Sequence, residues 1–129
     1  MNRNRIHNIT NPYQGNRKKS LCICSAGLLR SPTLSYTLMS EPYNRNARAV
    51  GHNQEYALIP LDPVHIAWAD EIICVDKESY DATYDFCLDH NFPVDRIEFI
   101  TLAIRDIYEA FSPELFTEIH ENLVRIKYK

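Results

Sequence analysis

The sequence predicts an α/β domain built on a central four-stranded parallel sheet, with helices on both faces in a three-layer sandwich. Short apolar segments alternate with longer segments of helical periodicity about four times along the chain, which is the pattern of β–α–β units. Right-handed crossovers between parallel strands place the connecting helices on both faces of the sheet. Three of the helical segments also open with a capping residue followed by proline, a helix-start signal.

Four apolar segments are expected to form the strands. The first ends in small residues, and the second stops at Gly51. The third, EIICVD, is the clearest strand, a hydrophobic run bounded by acidic residues, and the fourth is RIEFIT. Continuous apolar runs of this length are typical of strands buried on both faces. In chain order the predicted strands are residues 19–25, 47–53, 71–76 and 96–101.

Four helices are expected to follow these strands. Ser31, Asp62 and Ser112 are the predicted N-caps, because each precedes a proline that fits the first helical position. The third helical segment places Tyr80 and Tyr84 near one face, and the last carries apolar residues at helical spacing. The predicted helices are residues 31–40, 61–70, 77–90 and 112–129.

Length and composition exclude several classes of protein. With 129 residues, 45% of them hydrophobic and 24% charged, the chain can bury a core as one globular domain. No window approaches the length of an apolar membrane span. The amino terminus lacks the apolar stretch of a secretory signal, so a cytoplasmic location is expected. The four cysteines and five histidines lack the spacing of a metal site, so no metal is expected.

Charge divides the chain into two parts. Five of the 14 lysines and arginines, but none of the 17 acidic residues, lie within the first 20 positions. Residues 1–19 are therefore predicted to be a flexible basic leader, and residues 20–129 a single domain. Five charges without a recognition motif give little support for nucleic-acid binding, and nucleic acid is not an expected partner.

The stretch CSAGLLRS places Cys24 at the carboxyl end of the first strand and Arg30 six residues later. Parallel α/β sheets bind ligands at this end of their strands. A loop between a strand and a helix can turn its backbone N–H groups inward, and the helix start adds partial positive charge. The sequence therefore predicts a phosphate cradle. Its loop consists of Ser25, Ala26, Gly27, Leu28 and Leu29.

The side chains at the ends of this loop predict nucleophilic chemistry. Arg30 can hold two phosphate oxygens at once. The same positive surroundings favour the thiolate form of Cys24, a nucleophile aimed at the bound phosphorus. Ser31 can donate a hydrogen bond to that sulfur and make it a better leaving group in a second step. Cys22 lies two residues earlier in the strand and should face the same side as Cys24.

This loop resembles the active-site loop of the low-molecular-weight protein tyrosine phosphatases, in which Cys-x5-Arg-Ser follows the first strand. Further along, ARAVGH is similar to the second strand of that family and WADEIICVD to its next helix-to-strand stretch. The resemblance covers residues 20–128 and is closest to the small tyrosine phosphatases of bacteria and phage. It implies a hydrolase without metal or cofactor that cleaves phosphomonoesters, foremost protein phosphotyrosine, through a phosphocysteine intermediate.

The resemblance also implies a general acid in a late loop, where the family carries Asp-Pro-Tyr. The segment RDIYEAFSPEL offers Asp106 and Tyr108 at that place. Asp106 is expected to protonate the departing oxygen and then activate water, and Tyr108 to supply an aromatic wall against the substrate ring. Such proton transfer contributes ~10²- to 10⁴-fold to the rate.

Three positions depart from the family pattern. Gly27 replaces a loop asparagine that favours a left-handed conformation, which glycine adopts freely, so the loop shape is expected to survive without the side-chain hydrogen bonds. Ile107 replaces the proline of Asp-Pro-Tyr. Arg105 adds a positive charge that would weaken Asp106 as a proton donor. These departures leave room for a catalytically weak enzyme.

Three alternative functions belong to other classes. A catalytically inactive module would recognise phosphorylated partners with the same loop. Arsenate reductase needs two further cysteines close together, whereas Cys74 and Cys87 are thirteen residues apart. Phosphoryl carriers phosphorylated on cysteine lack the equivalent of Arg30. The expected partner is a phosphorylated protein or a small phosphomonoester, with no membrane, and the sequence carries no indication of oligomeric state.

Overall fold

The structure is a computed structural model that describes residues 16–129. Of the predicted basic leader 1–19, residues 1–15 lie outside the described residues, and Lys19 already belongs to the first strand. Within residues 16–129, no helix combines the length and the apolar character needed to cross a membrane.

A four-stranded, all-parallel sheet forms the centre of the fold, which confirms the predicted α/β class. The strands lie in the order β2-β1-β3-β4. Their bounds are β1 Lys19–Cys24, β2 Asn46–Gly51, β3 Glu71–Cys74 and β4 Phe99–Thr101. The helices are α1 Arg30–Met39, α2 Pro63–Trp68, α3 Lys77–Asp89 and α4 Pro113–Arg125, with a short 3₁₀ helix at Val94–Arg96.

Helix capping follows the sequence at two of the three predicted positions. The side chain of Asp62 accepts the Val64 N–H at the start of α2, and Ser112 accepts the Leu115 N–H at the start of α4. The prediction for Ser31 is wrong. Helix α1 begins one residue earlier, at Arg30, and its N-cap residue, Leu29, makes no side-chain cap.

The core consists of two apolar clusters that lie on opposite faces of the sheet. Alternate residues of β1 enter different clusters, Cys22 and Cys24 on one side and Leu21 and Ile23 on the other, as the alternation of a strand requires. Helices α1 and α4 cover the first cluster, and α2 and α3 contribute to the second, an arrangement consistent with the expected three-layer sandwich. The helical residues in these clusters include Leu34, Leu38, Leu115, Ile119 and Leu123 in the first and Ile66 and Cys87 in the second.

Strand register brings the carboxyl ends of the central strands together. Cys24, the last residue of β1, is paired with Gly51 at the end of β2. On the other side of β1, Ile23 is paired with Cys74, the last residue of β3. The loops that follow β1, β2 and β3 therefore leave the sheet side by side, and Cys24 lies between them.

Candidate active site

Cys24 lies buried at the base of the loop between β1 and α1, with only 3% of its surface exposed. Its thiol donates a hydrogen bond to Ser31 Oγ at 3.1 Å, and the Ser31 hydroxyl donates to the Val50 carbonyl at 3.3 Å. The Gly27 N–H donates to Cys24 Sγ at 3.2 Å. Because the Ser31 hydroxyl is hydrogen-bonded to Cys24 and Val50, it does not cap helix α1.

Backbone carbonyls of the loop are turned toward the segment that follows β2. Each of three successive carbonyls accepts an amide proton from residues 52–58. Because the N–H and C=O of a trans peptide point in opposite directions, the three N–H groups that follow are turned to the other side, where Cys24 Sγ lies. The three bonds are His52 N to Cys24 O at 2.9 Å, Asn53 N to Ser25 O at 3.0 Å and Leu58 N to Ala26 O at 3.0 Å.

Two glycines allow this close approach of the loop to β2. Gly27 has a φ of 71°, which confirms the left-handed conformation expected at this position. A Cβ on Gly27 would lie 2.9 Å from the Gly51 nitrogen. A Cβ on Gly51 would lie 2.5 Å from the carbonyl carbon of Ala26. Since both contacts are with backbone atoms, a side chain at either glycine would displace the loop.

The guanidinium of Arg30 is buried and held along one edge. Its Nη1 donates to Asp76 Oδ2 at 2.6 Å and to the Ile104 carbonyl at 2.9 Å. Only 6% of the Arg30 side chain is exposed. The two acceptors use the Nη1 group, and this leaves the Nε–Nη2 edge as a planar fork of the kind that binds two oxygens of one anion.

Asp76 is a site residue that the sequence analysis missed. It follows β3 as the N-cap of α3, where its Oδ1 accepts the Ser79 N–H at 2.8 Å while Oδ2 accepts from Arg30. Burial alone would raise the pKa of Asp76, but the hydrogen bonds from Ser79 and Arg30 outweigh burial and lower it. A signal was present, because an acid two residues after β3 lies near the end of β1 in a parallel sheet.

A cavity of about 190 Å³ opens above the cysteine, which we call the Cys24 cavity. Asp106 reaches it from the loop after β4, and its Oδ1 lies 3.7 Å from Arg30 Nε. The Asp106 side chain is 57% exposed, so that it stands at the mouth of the cavity, while Arg30 is buried in the wall. The lining residues are Cys24, Ser25, Ala26, Leu28, Leu29, Arg30 and Asp106.

Tyr108 is not among the residues that line this cavity, although it was expected to form an aromatic wall there. Its ring packs against the core, and its hydroxyl donates to Glu118 Oε1 at 3.0 Å. Arg105 also turns to this carboxylate, with 2.8 Å between Nη2 and Oε1. Burial opposes ionisation of Glu118, but the hydrogen bonds from Arg105 outweigh it and lower the pKa of Glu118. The Arg105 guanidinium therefore forms an ion pair with Glu118 of α4.

The other cysteines are buried and free. Cys22 shares the first cluster with Cys24, as their two-residue spacing predicts. Cys74 and Cys87 pack in the second cluster, on the opposite face of the sheet. Burial raises the pKa of Cys74 to about 12 and that of Cys87 to about 11, which keeps both as thiols at neutral pH.

Comparison with protein-family models, with curated proteins and with solved structures found no match. The chemistry of the site must therefore be inferred from its own geometry. The structure brings Cys24, Arg30, Ser31 and Asp106 together at one end of the sheet, on a loop whose backbone is hydrogen-bonded to the segment that follows β2. Tyr108 lies outside this group.

Proposed function

We propose that the chain is a cysteine-dependent phosphatase of the low-molecular-weight tyrosine phosphatase type, acting on phosphomonoesters and foremost on protein phosphotyrosine. One observation carries the proposal. A cysteine sulfur that accepts a backbone N–H lies in the same small cavity as a buried arginine. The Nε–Nη2 edge of that arginine is a fork for two oxygens, and Asp106 Oδ1 lies 3.7 Å from its Nε. Donors arranged in this way suit a phosphoryl dianion, because fixed N–H groups and a guanidinium match its oxygens.

In the first step the Cys24 thiolate attacks phosphorus and forms the S–P bond. The P–O bond of the ester breaks, its electron pair goes to the departing oxygen, and Asp106 donates a proton to that oxygen. Arg30 and the loop N–H groups hold the three non-bridging oxygens and stabilise the charge of the transition state. The exposed position of Asp106 at the cavity mouth suits a group that must reach the leaving oxygen.

In the second step a water molecule attacks phosphorus and the S–P bond breaks. Asp106, now a carboxylate, takes a proton from the water, and the electron pair of the broken bond returns to sulfur. Ser31 lies 3.1 Å from that sulfur. Rotation of its hydroxyl from the Val50 carbonyl to Cys24 Sγ would supply a hydrogen bond to the thiolate that leaves.

An arsenate reductase fits the structure less well. Its relay needs two cysteines that can reach the nucleophile in turn. Cys74 and Cys87 pack together, but on the face of the sheet opposite to Cys24. The raised pKa values of both thiols also oppose thiol exchange, which requires a thiolate.

Hydrolysis of p-nitrophenyl phosphate between pH 5 and 7 tests the proposal. Wild type should turn the substrate over, and Cys24→Ser should abolish turnover while inorganic phosphate still binds. Cys22→Ala is the matched control, since it removes a buried thiol on the same face two residues away and should retain turnover. Phosphate or vanadate binding without turnover in the wild type would instead support a recognition module built on this loop.

The role of Asp106 is tested by the leaving group. Asp106→Asn should slow hydrolysis of phenyl phosphate by about 10²-fold or more, since a poor leaving group needs the proton. The loss should be smaller for p-nitrophenyl phosphate, whose phenolate departs more readily. Equal losses for both esters would remove Asp106 from the role of general acid.

A further inference from the structure

A groove runs along the outer edge of strand β4, and we call it the β4-edge groove. Its volume is about 500 Å³, against about 190 Å³ for the Cys24 cavity, with which it shares no lining residue. All of β4 lines one side of the groove, and residues 126–129, which follow helix α4, line the other. The remaining lining residues lie at the amino end of the sheet, at or just before the start of each strand: Lys18, Arg45, Glu71 and Glu98.

Strand β4 presents unpaired backbone groups to this groove. It is the last strand on its side of the sheet. The Glu98 carbonyl and the Leu102 N–H are both hydrogen-bonded to β3, at 2.9 Å and 2.8 Å. Because these even-numbered residues face β3, the odd-numbered Phe99 and Thr101 turn their N–H and C=O groups outward. Within residues 16–129 these outward groups make no hydrogen bond.

The fold covers the edge of β4 only beyond its last residue. The next outward residue, Ala103, donates its N–H to Asn122 Oδ1 of helix α4 at 2.7 Å. The strand itself, Phe99–Thr101, carries no charged or proline residue, the devices that commonly protect an edge from further pairing. Thr101 is exposed. Helix α4 therefore closes the edge at Ala103 and leaves Phe99 and Thr101 open to another strand.

The charge of the groove selects the kind of chain that can occupy it. Four cationic side chains line the groove, against two acidic ones. Both acids are already paired, because Lys18 Nζ lies 3.1 Å from Glu98 and 3.3 Å from Glu71. Lys127 and Lys129 have no acidic partner in the part of the chain that the structure describes. Their charges favour a partner with carboxylates and disfavour a basic one.

We propose that the β4-edge groove binds an extended acidic segment of a partner protein, which joins the sheet as a fifth strand. Phe99 and Thr101 each offer one outward N–H and one outward C=O, so backbone pairing supplies up to four hydrogen bonds. Lys127 and Lys129 attract the carboxylates of the segment. The three residues of β4 span about 10 Å, at about 3.3 Å each, so about five peptide residues cover the edge. This interaction goes beyond the proposed function and does not depend on it.

Amide hydrogen exchange of the ¹⁵N-labelled full chain tests the strand pairing, with a blocked Glu-Val-Glu-Val-Glu peptide as the probe. The outward amides of Phe99 and Thr101 should exchange at least about tenfold more slowly when the peptide saturates the protein, because pairing shields them from water. The Leu102 amide is the internal reference, since it is already bonded to β3 and should not change. A Lys-Val-Lys-Val-Lys peptide should bind at least about tenfold more weakly, because it places like charges beside Lys127 and Lys129.

A pair of variants tests the charge recognition. Lys127→Gln should raise the Kd for the acidic peptide about threefold at low ionic strength, the scale of one exposed ion pair. Lys77→Gln is the matched control, because Lys77 lies outside the groove on helix α3 and should leave the Kd unchanged. Equal Kd values for these variants, or for the two peptides, would overturn the acidic partner. Unchanged exchange of Phe99 and Thr101 under saturating peptide, or no binding of the acidic peptide, would overturn the fifth strand. None of these measurements involves turnover, so a failure of the proposed phosphatase activity is seen separately.

Discussion

Replacing Asp76 by asparagine removes one negative charge from beneath Arg30 and preserves the cap of helix α3. Asparagine caps helices about as well as aspartate, so the Ser79 N–H keeps its acceptor. Arg30 keeps the Ile104 carbonyl but loses the Asp76 acceptor, because the single oxygen of asparagine stays with the Ser79 N–H and its NH2 group then faces Nη1. The variant therefore removes the 2.6 Å contact with Arg30 and keeps the helix cap.

The magnitude follows from the kind of hydrogen bond that is lost. A hydrogen bond to a charged partner contributes about 1.5–3 kcal/mol. Because Asp76→Asn removes one such bond, it should lower the free energy of unfolding by about 1.5–3 kcal/mol. Asp76 is 28% exposed, which keeps the loss below the ~3–5 kcal/mol of a fully buried broken pair. If the Arg30 fork moves by about 1 Å, kcat/KM falls by about 10²-fold.

Urea unfolding at pH 7 and turnover of p-nitrophenyl phosphate measure the two effects. Asp62→Asn is the matched control, since Asp62 caps helix α2 and lies outside the Cys24 cavity. It should leave kcat/KM unchanged. The reasoning fails if Asp76→Asn matches the wild type in both measurements.

The stability difference between these proteins has a defined pH dependence. The pKa of Asp76 is lower in the fold than its ordinary value of 3.8. A carboxyl group of this kind stabilises the fold above its unfolded pKa and loses that contribution as the pH falls through the folded pKa. The advantage of the wild type over Asp76→Asn should persist from neutral pH to about pH 4 and shrink below it. A constant difference between about pH 7 and pH 2 would contradict the pairing with Arg30.

Three other predictions follow from the loop. Gly27→Ala should lower the free energy of unfolding by about 1–2 kcal/mol because of its left-handed φ alone, and by more if the new Cβ displaces β2. Calorimetry should show a lower Tm, and an unchanged Tm would mean that the loop moves freely. Iodoacetamide at pH 7 should modify Cys24 alone, and phosphate should protect it. Burial raises the pKa of Cys22, that of Cys74 to about 12 and that of Cys87 to about 11; adducts on any of these three would contradict this. Ser31→Ala should slow breakdown of the phosphocysteine by about 10-fold or more, which would be seen as a larger initial burst of product. Loss of the burst would mean that the hydroxyl acts in formation of the phosphocysteine instead.

The parallel sheet was predictable because its signals are local. Each strand is a short apolar run, and the caps at Asp62 and Ser112 depend only on the next few residues. Ser31 has the same local pattern, but its hydroxyl lies against Cys24 Sγ and the Val50 carbonyl, contacts that depend on the folded sheet. Because the Ser31 hydroxyl is engaged by these distant groups, it does not cap helix α1, which begins without a side-chain cap.

The site was predictable where it is contiguous in sequence. Residues 24–31 form one loop, so their pattern identified the loop directly. Asp76 and Arg105 depend on partners far along the chain, 46 residues away in Arg30 and 13 residues away in Glu118. The sequence predicted that the positive charge of Arg105 would act on its neighbour Asp106. In the structure Arg105 is instead paired with Glu118 on α4.

Direct detection of a phosphocysteine tests the central claim. Wild type and Cys24→Ser would be mixed with p-nitrophenyl phosphate, quenched in acid within the first turnover and examined by mass spectrometry of the intact protein and its peptides. The account predicts the mass of one added phosphoryl group in the wild type, on the peptide that contains Cys24, and none in the variant. Product release without that adduct, or an adduct on another residue, would contradict it.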